Sequence, residues 1–436
     1  MKYKFIIVAL LSMQVAISIS KPEYFNSLKE LEKALLDSKV PYNTLVQLAE
    51  KVSGIVDSKS LRRQQVKQQV RDAQVDILEK LSTKKVVEEP LISFVIPVYN
   101  RETVVAETID SIYAQNIQVP FEVIVVDDAS IDKSVSILKK YEFQNDNFFL
   151  YQNKQNRKSP FTRNVGMAHA RGELIFNLDS DDVLQPGSFN RLFEHYQGSG
   201  CETAMFSQSW YVKDFSKKIF AREKFICPNN IHYAWQPLHE VVILISINNR
   251  IITKKSWLRV GGYIDMRGHD GLSFGLSQVA TGVSYAVLPD SGYWHRTWSN
   301  MTKSMYLCDS VAGCMDTCLV KIVQDYEEIL DKKTRSQIKQ YSEQLKNHKV
   351  KDGNFSTLFL RGKKLNFVAK PFLEKYYFAL RAEEDGEWKK ALDLYVELIK
   401  PLDSKNIDIK AMEMAVKAGE RKQALSILMP CIRKYL

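Results

Sequence analysis

The stretch ELIFNLDSDDVLQPG, residues 173–187, joins an apolar run to a cluster of acidic side chains. The apolar run is nearly continuous, which is typical of a strand that is buried on both faces of a sheet. Three carboxylates follow it within four positions, at Asp179, Asp181 and Asp182. Carboxylates this close repel one another and raise each other's pKa unless positive charge lies among them. The stretch therefore predicts a strand whose carboxyl end holds a cation.

The segment before this stretch alternates strands with helices. The runs LISFVIPVY, FEVIVVDD and FFLYQN are apolar enough to be buried strands, and segments such as ETVVAETIDSIYAQN between them are helical in pattern. This alternation indicates an α/β fold with a parallel sheet covered by helices on both faces. Ligands of such sheets bind beyond the carboxyl ends of the strands. We therefore expect the polar ends IPVYN, VVDDAS and NLDSDD to line one site.

In this order and at this spacing, the three strand ends resemble those of the family 2 glycosyltransferases, which are inverting enzymes of the GT-A fold. The segment TRNVGMAHARGELI resembles the family's helix before the metal-binding strand. The resemblance extends from about residue 92 to 304, roughly half of the chain. It implies a nucleotide-diphospho-sugar transferase domain, Rossmann-like in topology. Such a hexosyl- or N-acetylhexosaminyltransferase would move a sugar, with UDP as the expected carrier, to a hydroxyl of a glycan or glycoconjugate acceptor with inversion.

The resemblance implies a metal site in the acidic cluster, where Asp179 and Asp181 have the spacing Asp-x-Asp. Asp181 is implied as the direct ligand of Mn²⁺ or Mg²⁺, and Asp179 and His295 as further ligands. Asp179 and Asp182 are also implied to hold the sugar or the waters of the metal. The chemistry agrees, because hard divalent cations prefer oxygen ligands and neutralise a departing diphosphate as Lewis acids. Two alternatives stay open, an acidic helix N-cap for the cluster and a structural role for the histidine.

The resemblance places the nucleotide at the first two strand ends and on the helix that precedes the acidic stretch. Pro97 and Tyr99 match the wall of the uracil pocket, and Asp128 matches a carboxylate that accepts a hydrogen bond from the uracil ring. Arg163 matches a position near the nucleotide base. Together with the acidic cluster, these residues predict one binding site for a nucleotide-sugar donor.

The downstream segment VGGYIDMRGHDGLSFGLSQ resembles the acceptor side of the family, where Glu-Asp usually begins a helix. This chain has His269 and Asp270 at the matching positions. Inversion needs one general base to take the proton of the acceptor hydroxyl, and the retained Asp270 is our candidate for it. The exchange of Glu for His affects the expected choice of acceptor more than the expected activity. A solvated turn carboxylate is the alternative interpretation of Asp270.

The two ends of the chain differ from its centre. Residues 1–20 combine a basic start, a short apolar core and small residues, which predicts a signal peptide or a membrane anchor. Residues 21–88 are helical in pattern, the GT-A domain is expected at 90–305, and 319–436 is helical and tetratricopeptide-like with an offset of 33. We expect a place in the secretory pathway lumen, in the endoplasmic reticulum or Golgi, with association with a bacterial inner membrane as the alternative.

The net charge of +10 suits an anionic partner such as a phosphorylated small molecule. The basic residues are spread along the chain, so we expect no nucleic acid partner and interpret most of them as solvated helix faces. The C-terminal helices are either a docking surface for a protein partner or ordinary amphipathic helices. Two other functions compete with sugar transfer: a nucleotidyltransferase of similar fold, and a non-catalytic glycan-binding scaffold.

Overall fold

A computed structural model of the chain describes residues 21–56, 58–84, 88–214, 219–224, 231–233, 248–263, 270–280, 283–296 and 370–435. These residues form two units, an α/β unit within residues 63–296 and a helical unit from residues 21–62 and 371–435. The predicted signal or anchor at 1–20 lies outside the described residues. Within the described ranges, no helix is both long enough and apolar enough to cross a membrane.

The α/β unit is built on one sheet of ten described strands. The strands are β1 (Ile92–Val98), β2 (Phe121–Asp127), β3 (Phe148–Gln152), β4 (Leu174–Asn177), β5 (Val183–Leu184), β6 (Thr203–Asp214), β7 (Ile219–Lys224), β8 (Ile231–Tyr233), β9 (Arg250–Thr253) and β10 (Ser284–Arg296). Their order is β3-β2-β1-β4-β9-β6-β10-β5, with β7 paired to β6 and β8 paired to β10.

The first four strands run parallel, as the sequence predicts, and the α/β class is confirmed. The sheet is not parallel throughout, because β9 runs antiparallel between β4 and β6. An apolar run reports that a strand is buried and does not report its direction, so the sequence pattern did not reveal this reversal. The reversal matters for the site, because it brings the residues just before β9 next to the carboxyl end of β4.

Helices cover both faces of this sheet. They are α3 (Ser58–Ser82), α4 (Val105–Tyr113), α5 (Ser134–Gln144), α6 (Lys158–His169), α7 (Ser188–Ser199), α8 (Lys254–Val260) and α9 (Asp270–Ala280). Successive side chains of a strand point to opposite faces, so β1 contributes to both cores. Phe94 and Ile96 pack in the core with α4, α5 and α7, and Val95 packs in the core with α3, α6, α8 and α9.

The helical unit contains a 33-residue repeat. Its helices are α1 (Lys21–Leu36), α2 (Tyr42–Val56), α10 (Lys370–Glu384), α11 (Trp388–Leu402), α12 (Lys405–Lys417) and α13 (Arg421–Tyr435). The turns at Gly386 and Gly419 both have left-handed φ values, of 74° and 77°. In each turn the residue after the glycine, Glu387 or Glu420, donates its N–H to the carbonyl oxygen five residues earlier at 2.8 Å. The offset seen in the sequence is thus repeated in the backbone hydrogen bonds.

The N-terminal helices belong to the same unit as this repeat. Helix α2 packs on α12 and α1 packs on α13. The guanidinium of Arg421 donates to the carbonyl oxygens of Leu35 at 2.8 Å and Ala34 at 2.7 Å. The helical sequence before the α/β unit is therefore divided, since α1 and α2 join the C-terminal helices and most of α3 joins the sheet. The domain boundaries near 90 and 305 stay predictions.

Helix α3 packs on the sheet through apolar side chains, next to a pair of stacked aromatic rings. Its residues Val66, Ala73 and Ile77 lie in the core with β3 and α6. Beside them, the ring of His169 stacks on the ring of Tyr151 with 3.6 Å between centroids. His169 is 8% exposed, and burial lowers its pKa to about 4. The imidazole is therefore neutral in the folded protein at neutral pH.

We predict that His169 makes the stability of the α/β unit depend on pH. Its folded pKa of about 4 lies below the unfolded value of 6.5, so unfolding is coupled to proton uptake between these values. The stabilisation is complete above pH 6.5 and is lost as the pH falls toward 4, by at most about 3 kcal/mol. Thermal unfolding between pH 7 and pH 4 should show a shallower decline for His169→Gln than for the wild type. His195→Gln, which removes a partly exposed imidazole from α7, is the matched control. Identical slopes for His169→Gln and the wild type would contradict this assignment.

Candidate active site

A cleft of about 350 Å³ lies beyond the carboxyl ends of β1, β2 and β4. Its lining residues come from the ends of these strands and the loops after them, from the start of α6 and from three later segments of the chain. They are Pro97, Val98, Tyr99, Arg101, Asp128, Asn156, Lys158, Ser159, Thr162, Arg163, Asp179, Ser180, Asp181, Asn248, Asp270 and His295. All of the site residues predicted from the sequence line the cleft except Asp182. The structure therefore brings together positions that are up to about 200 residues apart in the chain.

Each carboxylate of the acidic loop pairs with a different cationic side chain. The pairs are Asp179 with Arg163, Asp181 with Arg101 at 3.3 Å, and Asp182 with His295 at 2.9 Å. The positive charge that the sequence required is thus supplied, in this structure, by the protein itself. Among the described residues, no three His, Cys, Asp or Glu side chains converge as a ready-made metal site. The metal roles of Asp179, Asp181 and His295 stay predictions.

Asp182 lies behind the cleft and orients other groups. It is 1% exposed, and its carboxylate accepts bonds from the side chain of Asn249 at 2.5 Å and the N–H of Arg296 at 3.3 Å. Burial alone would lower the pKa of His295, but the charge of Asp182 and its hydrogen bond raise that pKa to about 9. Asp182 therefore fixes the orientation of the imidazole through Nδ1. Its predicted contact with the sugar stays a prediction.

Asn249 ties the acidic loop to the neighbouring strand and was not found by the sequence analysis. Its side-chain oxygen accepts the N–H of Asp179 at 3.0 Å, while its amide nitrogen donates to Asp182. Asn249 is 1% exposed and directly precedes β9, the antiparallel strand beside β4. The only sequence signal was a pair of asparagines before an apolar run, which is too common to indicate a site. The antiparallel pairing of β9 with β4 is what positions it.

Arg163 on α6 connects the acidic loop to Asp270. Its guanidinium is 3% exposed, with Nη2 donating to Asp179 and Nε donating to Asp270 at 3.0 Å. Ser159, one helical turn earlier, donates its hydroxyl to the same Asp270 oxygen at 2.6 Å. The remaining nitrogen of Arg163, Nη1, is buried and has no hydrogen-bond partner within the described ranges. One helix face therefore holds both a carboxylate of the acidic loop and the predicted base.

The two carboxylates that share Arg163 have shifted pKa values in opposite directions. Burial raises the pKa of Asp179 to about 6, with Asp182 and Asp181 adding to the rise and Arg163 opposing it. Burial also acts to raise the pKa of Asp270, but the charge of Arg163 and the hydrogen bond from Ser159 outweigh it and hold that pKa below 3.8. Asp270 is therefore ionised throughout the neutral range. The neighbouring His269, predicted to affect acceptor choice, lies outside the described residues.

Asp128 positions the helix that carries Arg163. Its two carboxylate oxygens accept the N–H groups of Arg157 and Lys158, each at 2.8 Å, at the start of α6. A carboxylate at this place satisfies N–H groups that the helix leaves unpaired and interacts favourably with its dipole. Asp128 also accepts the side chain of Asn153 at 2.8 Å. Asp128 thus has a structural role in addition to the nucleotide contact predicted for it.

Asn164 holds the Gly-Gly-Tyr segment that leads toward Asp270. Its side-chain amide forms a pair of bonds with the backbone of Tyr263, accepting the N–H at 2.7 Å and donating to the carbonyl at 2.9 Å. Gly262 has a φ of 78°, and a Cβ there would lie 2.7 Å from the Asn164 oxygen. Only glycine fits this backbone and this close approach. The Arg-Asn dipeptide therefore organises both sides of the cleft.

Part of the chain is similar to known glycosyltransferases. Residues 93–255 match the family model described as "Glycosyl transferase family 2". The chain is 33% identical over 126 residues to "Putative glycosyltransferase EpsE" of Bacillus subtilis. The aligned residues cover 27% of this chain and 45% of that protein. The chain is 39% identical over 95 residues to "Poly(ribitol-phosphate) beta-glucosyltransferase" of Bacillus spizizenii, covering 21% of this chain and 15% of that protein. The chain thus spans less than half the length of either relative.

Among solved structures, the chain is similar to S. aureus TarS 1–349 in complex with UDP-GlcNAc. The TM-score is 0.48 and the sequence identity 15%, with 78% of this chain and 90% of that chain covered.

We predict that Arg163→Met lowers the free energy of unfolding by about 3 kcal/mol at pH 7, because two largely buried carboxylates lose their cation. The pKa of Asp270 is depressed in the folded state, so its pairing stabilises the protein above pH 3.8 and is lost as the pH falls below that value. In the variant, burial is no longer opposed by the cation and raises the pKa of both carboxylates, so they take up protons and lose their buried charge above pH 3.8. Urea unfolding should therefore show a smaller loss at pH 4 than at pH 7. Arg157→Met, at an exposed position just before α6, is the control and should cost at most about 1 kcal/mol, for the loss of a guanidinium that lies 4.1 Å from the ring centroid of Phe161. An equal loss at both pH values would refute the charge argument.

Proposed function

The α/β unit of this chain belongs to glycosyl transferase family 2, as the sequence resemblance predicts, and from this premise we propose that the protein is an inverting sugar transferase. It would move a sugar from a nucleotide diphosphate donor, with UDP as the proposed carrier, to a hydroxyl of a glycan or glycoconjugate. The observation that supports this most directly is the position of Arg163. It links the acidic loop, where a diphosphate would lie, to a separate ionised carboxylate in the same cleft.

For the donor, we propose that the nucleotide lies against the ends of β1 and β2. Tyr99 is 41% exposed at the edge of the cleft, where its ring is available to a nucleotide base. Asp128 accepts three bonds from the protein, and a carboxylate has about four lone-pair sites, so one further acceptor position suits an N–H of uracil. Pro97 completes this wall. The buried Nη1 of Arg163 is a further donor available to the ligand.

For the metal, we propose Mn²⁺ or Mg²⁺ with Asp181 as the direct ligand and Asp179 and His295 as further ligands. These three residues line the cleft, and carboxylate oxygens are the ligands that hard divalent cations prefer. His295 is bonded through Nδ1 to Asp182, which is how ligating histidines are usually oriented by a neighbouring carboxylate. When bound, the ion would neutralise the charge that develops on the departing diphosphate.

For the acceptor, we propose Asp270 as the general base. The carboxylate is ionised at neutral pH and is held in position by Arg163 and Ser159 through one of its oxygens. A carboxylate with a low pKa is a weak base, so its contribution depends on being placed against the acceptor hydroxyl in a near-attack geometry. The proton of the hydroxyl would pass to Asp270 as the oxygen attacks the anomeric carbon. The bond to the diphosphate then breaks on the opposite face, which inverts the configuration.

For the cellular location, the relatives reported above are bacterial proteins. They favour our alternative, an enzyme associated with a bacterial inner membrane, over the secretory pathway lumen.

For the helical unit, we propose that it provides a surface that binds a protein partner. Its repeat has the 33-residue period of helical repeats that commonly bind other proteins.

The proposed activity is tested with a panel of UDP- and GDP-sugars and Mn²⁺, measuring release of the nucleoside diphosphate with and without a glycan acceptor. At least one donor should be consumed by the wild type. Asp181→Asn should abolish metal-dependent donor binding with little change in melting temperature, because it removes charge from a crowded loop. Asp146→Asn removes a carboxylate from an exposed loop and is the matched control. A protein that releases pyrophosphate from nucleoside triphosphates instead is a nucleotidyltransferase, and one that binds glycans without consuming any donor is a scaffold.

Asp270→Asn distinguishes an enzyme from a binding protein most sharply. The substitution keeps the size of the side chain and an oxygen for Arg163 and Ser159, but an amide does not accept the proton. We expect UDP affinity near that of the wild type and a transfer rate lower by about 10²–10⁴-fold. The melting temperature should fall, because Arg163 loses one of its two charged partners. The rate and the affinity are measured separately, by steady-state kinetics and by titration calorimetry. Transfer at the wild-type rate would mean that another group is the base.

A further inference from the structure

Arg101 is an arginine of the cleft to which the sequence analysis assigned no role. It follows β1 in the loop PVYNR, and this loop is held in place by the loop before α5 and by the first residue of α5. The N–H of Arg101 donates to Ser134 at 2.7 Å, and the N–H of Asn100 donates to Ser130 at 2.9 Å. Its guanidinium also donates to the carbonyl oxygens of Tyr99 and Asn100, each at 3.2 Å. The backbone of Arg101 is therefore fixed by the fold.

The guanidinium of Arg101 faces the acidic loop. Its Nη2 lies 3.3 Å from Oδ2 of Asp181, the carboxylate proposed as the direct metal ligand. Of the three cationic partners of this loop, Arg101 has the most exposed side chain, at 33%, against 27% for His295 and 3% for Arg163. A long side chain that is partly in water can leave its partner at a smaller cost than a buried one. Arg101 is thus the partner that is most easily exchanged.

A divalent cation at Asp181 would compete with the guanidinium of Arg101 for the same carboxylate and would repel it at short range. We propose that Arg101 is a counter-ion that occupies Asp181 in the metal-free protein and must be displaced when a divalent cation binds, so that Arg101 sets the metal concentration at which the site fills. This inference rests on the proposed function, since it takes Asp181 to be the metal ligand. It assigns Arg101 the role of a counter-ion that pairs with Asp181 until the cation arrives.

The test measures Mn²⁺ binding without any nucleotide, from the free-ion signal in electron paramagnetic resonance at fixed low salt. Arg101→Gln should lower the dissociation constant about fivefold, the equivalent of the roughly 1 kcal/mol that a partly exposed ion pair contributes. Arg101→Lys keeps a competing cation and should stay closer to the wild type. If the wild type shows no measurable binding, Arg101→Gln should acquire it. Unchanged or weaker binding in Arg101→Gln, or no binding in either protein, overturns the inference.

Two controls separate direct competition from other effects. Lys158→Gln removes a positive charge from the same cleft at a residue whose backbone, at the start of α6, is bonded to Asp128. If it tightens Mn²⁺ binding as much as Arg101→Gln does, a general field effect replaces the competition we infer. Combining Arg101→Gln with Asp181→Asn should remove the gain. If Asp181→Asn alone binds Mn²⁺ like the wild type, the proposed metal site itself is wrong. If Asp181→Asn loses Mn²⁺ binding but Arg101→Gln leaves it unchanged, the metal site stands and only the role inferred for Arg101 is wrong.

Discussion

The guanidinium of Arg163 is shared by two carboxylates that come from distant parts of the chain. Asp179 follows it by 16 residues and Asp270 by 107, yet both reach the same buried group. Two carboxylates so near one another would repel, and burial would favour their neutral forms. A single buried cation between them keeps Asp270 ionised and holds the acidic loop against the helix. The cleft exists in this form because that charge is present and is fixed in place.

The surrounding structure serves to hold that guanidinium in position. Asp128 caps the first turn of α6 and so sets where the helix begins. Asn164, the next residue after Arg163, holds the backbone of Tyr263 by a pair of hydrogen bonds. On the other side, Asn249 holds the acidic loop by both ends of its amide. Each of these residues acts through hydrogen bonds to backbone or carboxylate groups, which fixes geometry more strictly than apolar packing does.

The charge balance of the loop has a consequence for how a ligand enters. Each of the three carboxylates of the loop pairs with a cationic group, and one of these groups, Arg163, is shared with Asp270. In the function that we propose, a donor that arrives with a divalent cation would redistribute these ion pairs. The buried pair made by Arg163 resists this, because breaking it leaves uncompensated charge away from water. The pair made by Arg101 is more exposed, and in our proposal it is the pair that yields to the cation.

The α/β class, the four parallel strands and the acidic carboxyl end of β4 follow from the sequence alone, because burial and side-chain period are local properties that an apolar run records directly. The gathering of polar strand ends at one edge follows from the same pattern.

The sequence did not predict the antiparallel course of β9, the place of Asn249 or the cationic partners of the acidic loop, since these depend on which strands become neighbours. The same is true of α1 and α2, which have ordinary helical patterns but pack against helices more than 300 residues later. The charged residue types at the strand ends can be read from the sequence, because they are local. The partner of each charge is set by the fold, because ion pairing depends on distances between residues that are far apart in the chain.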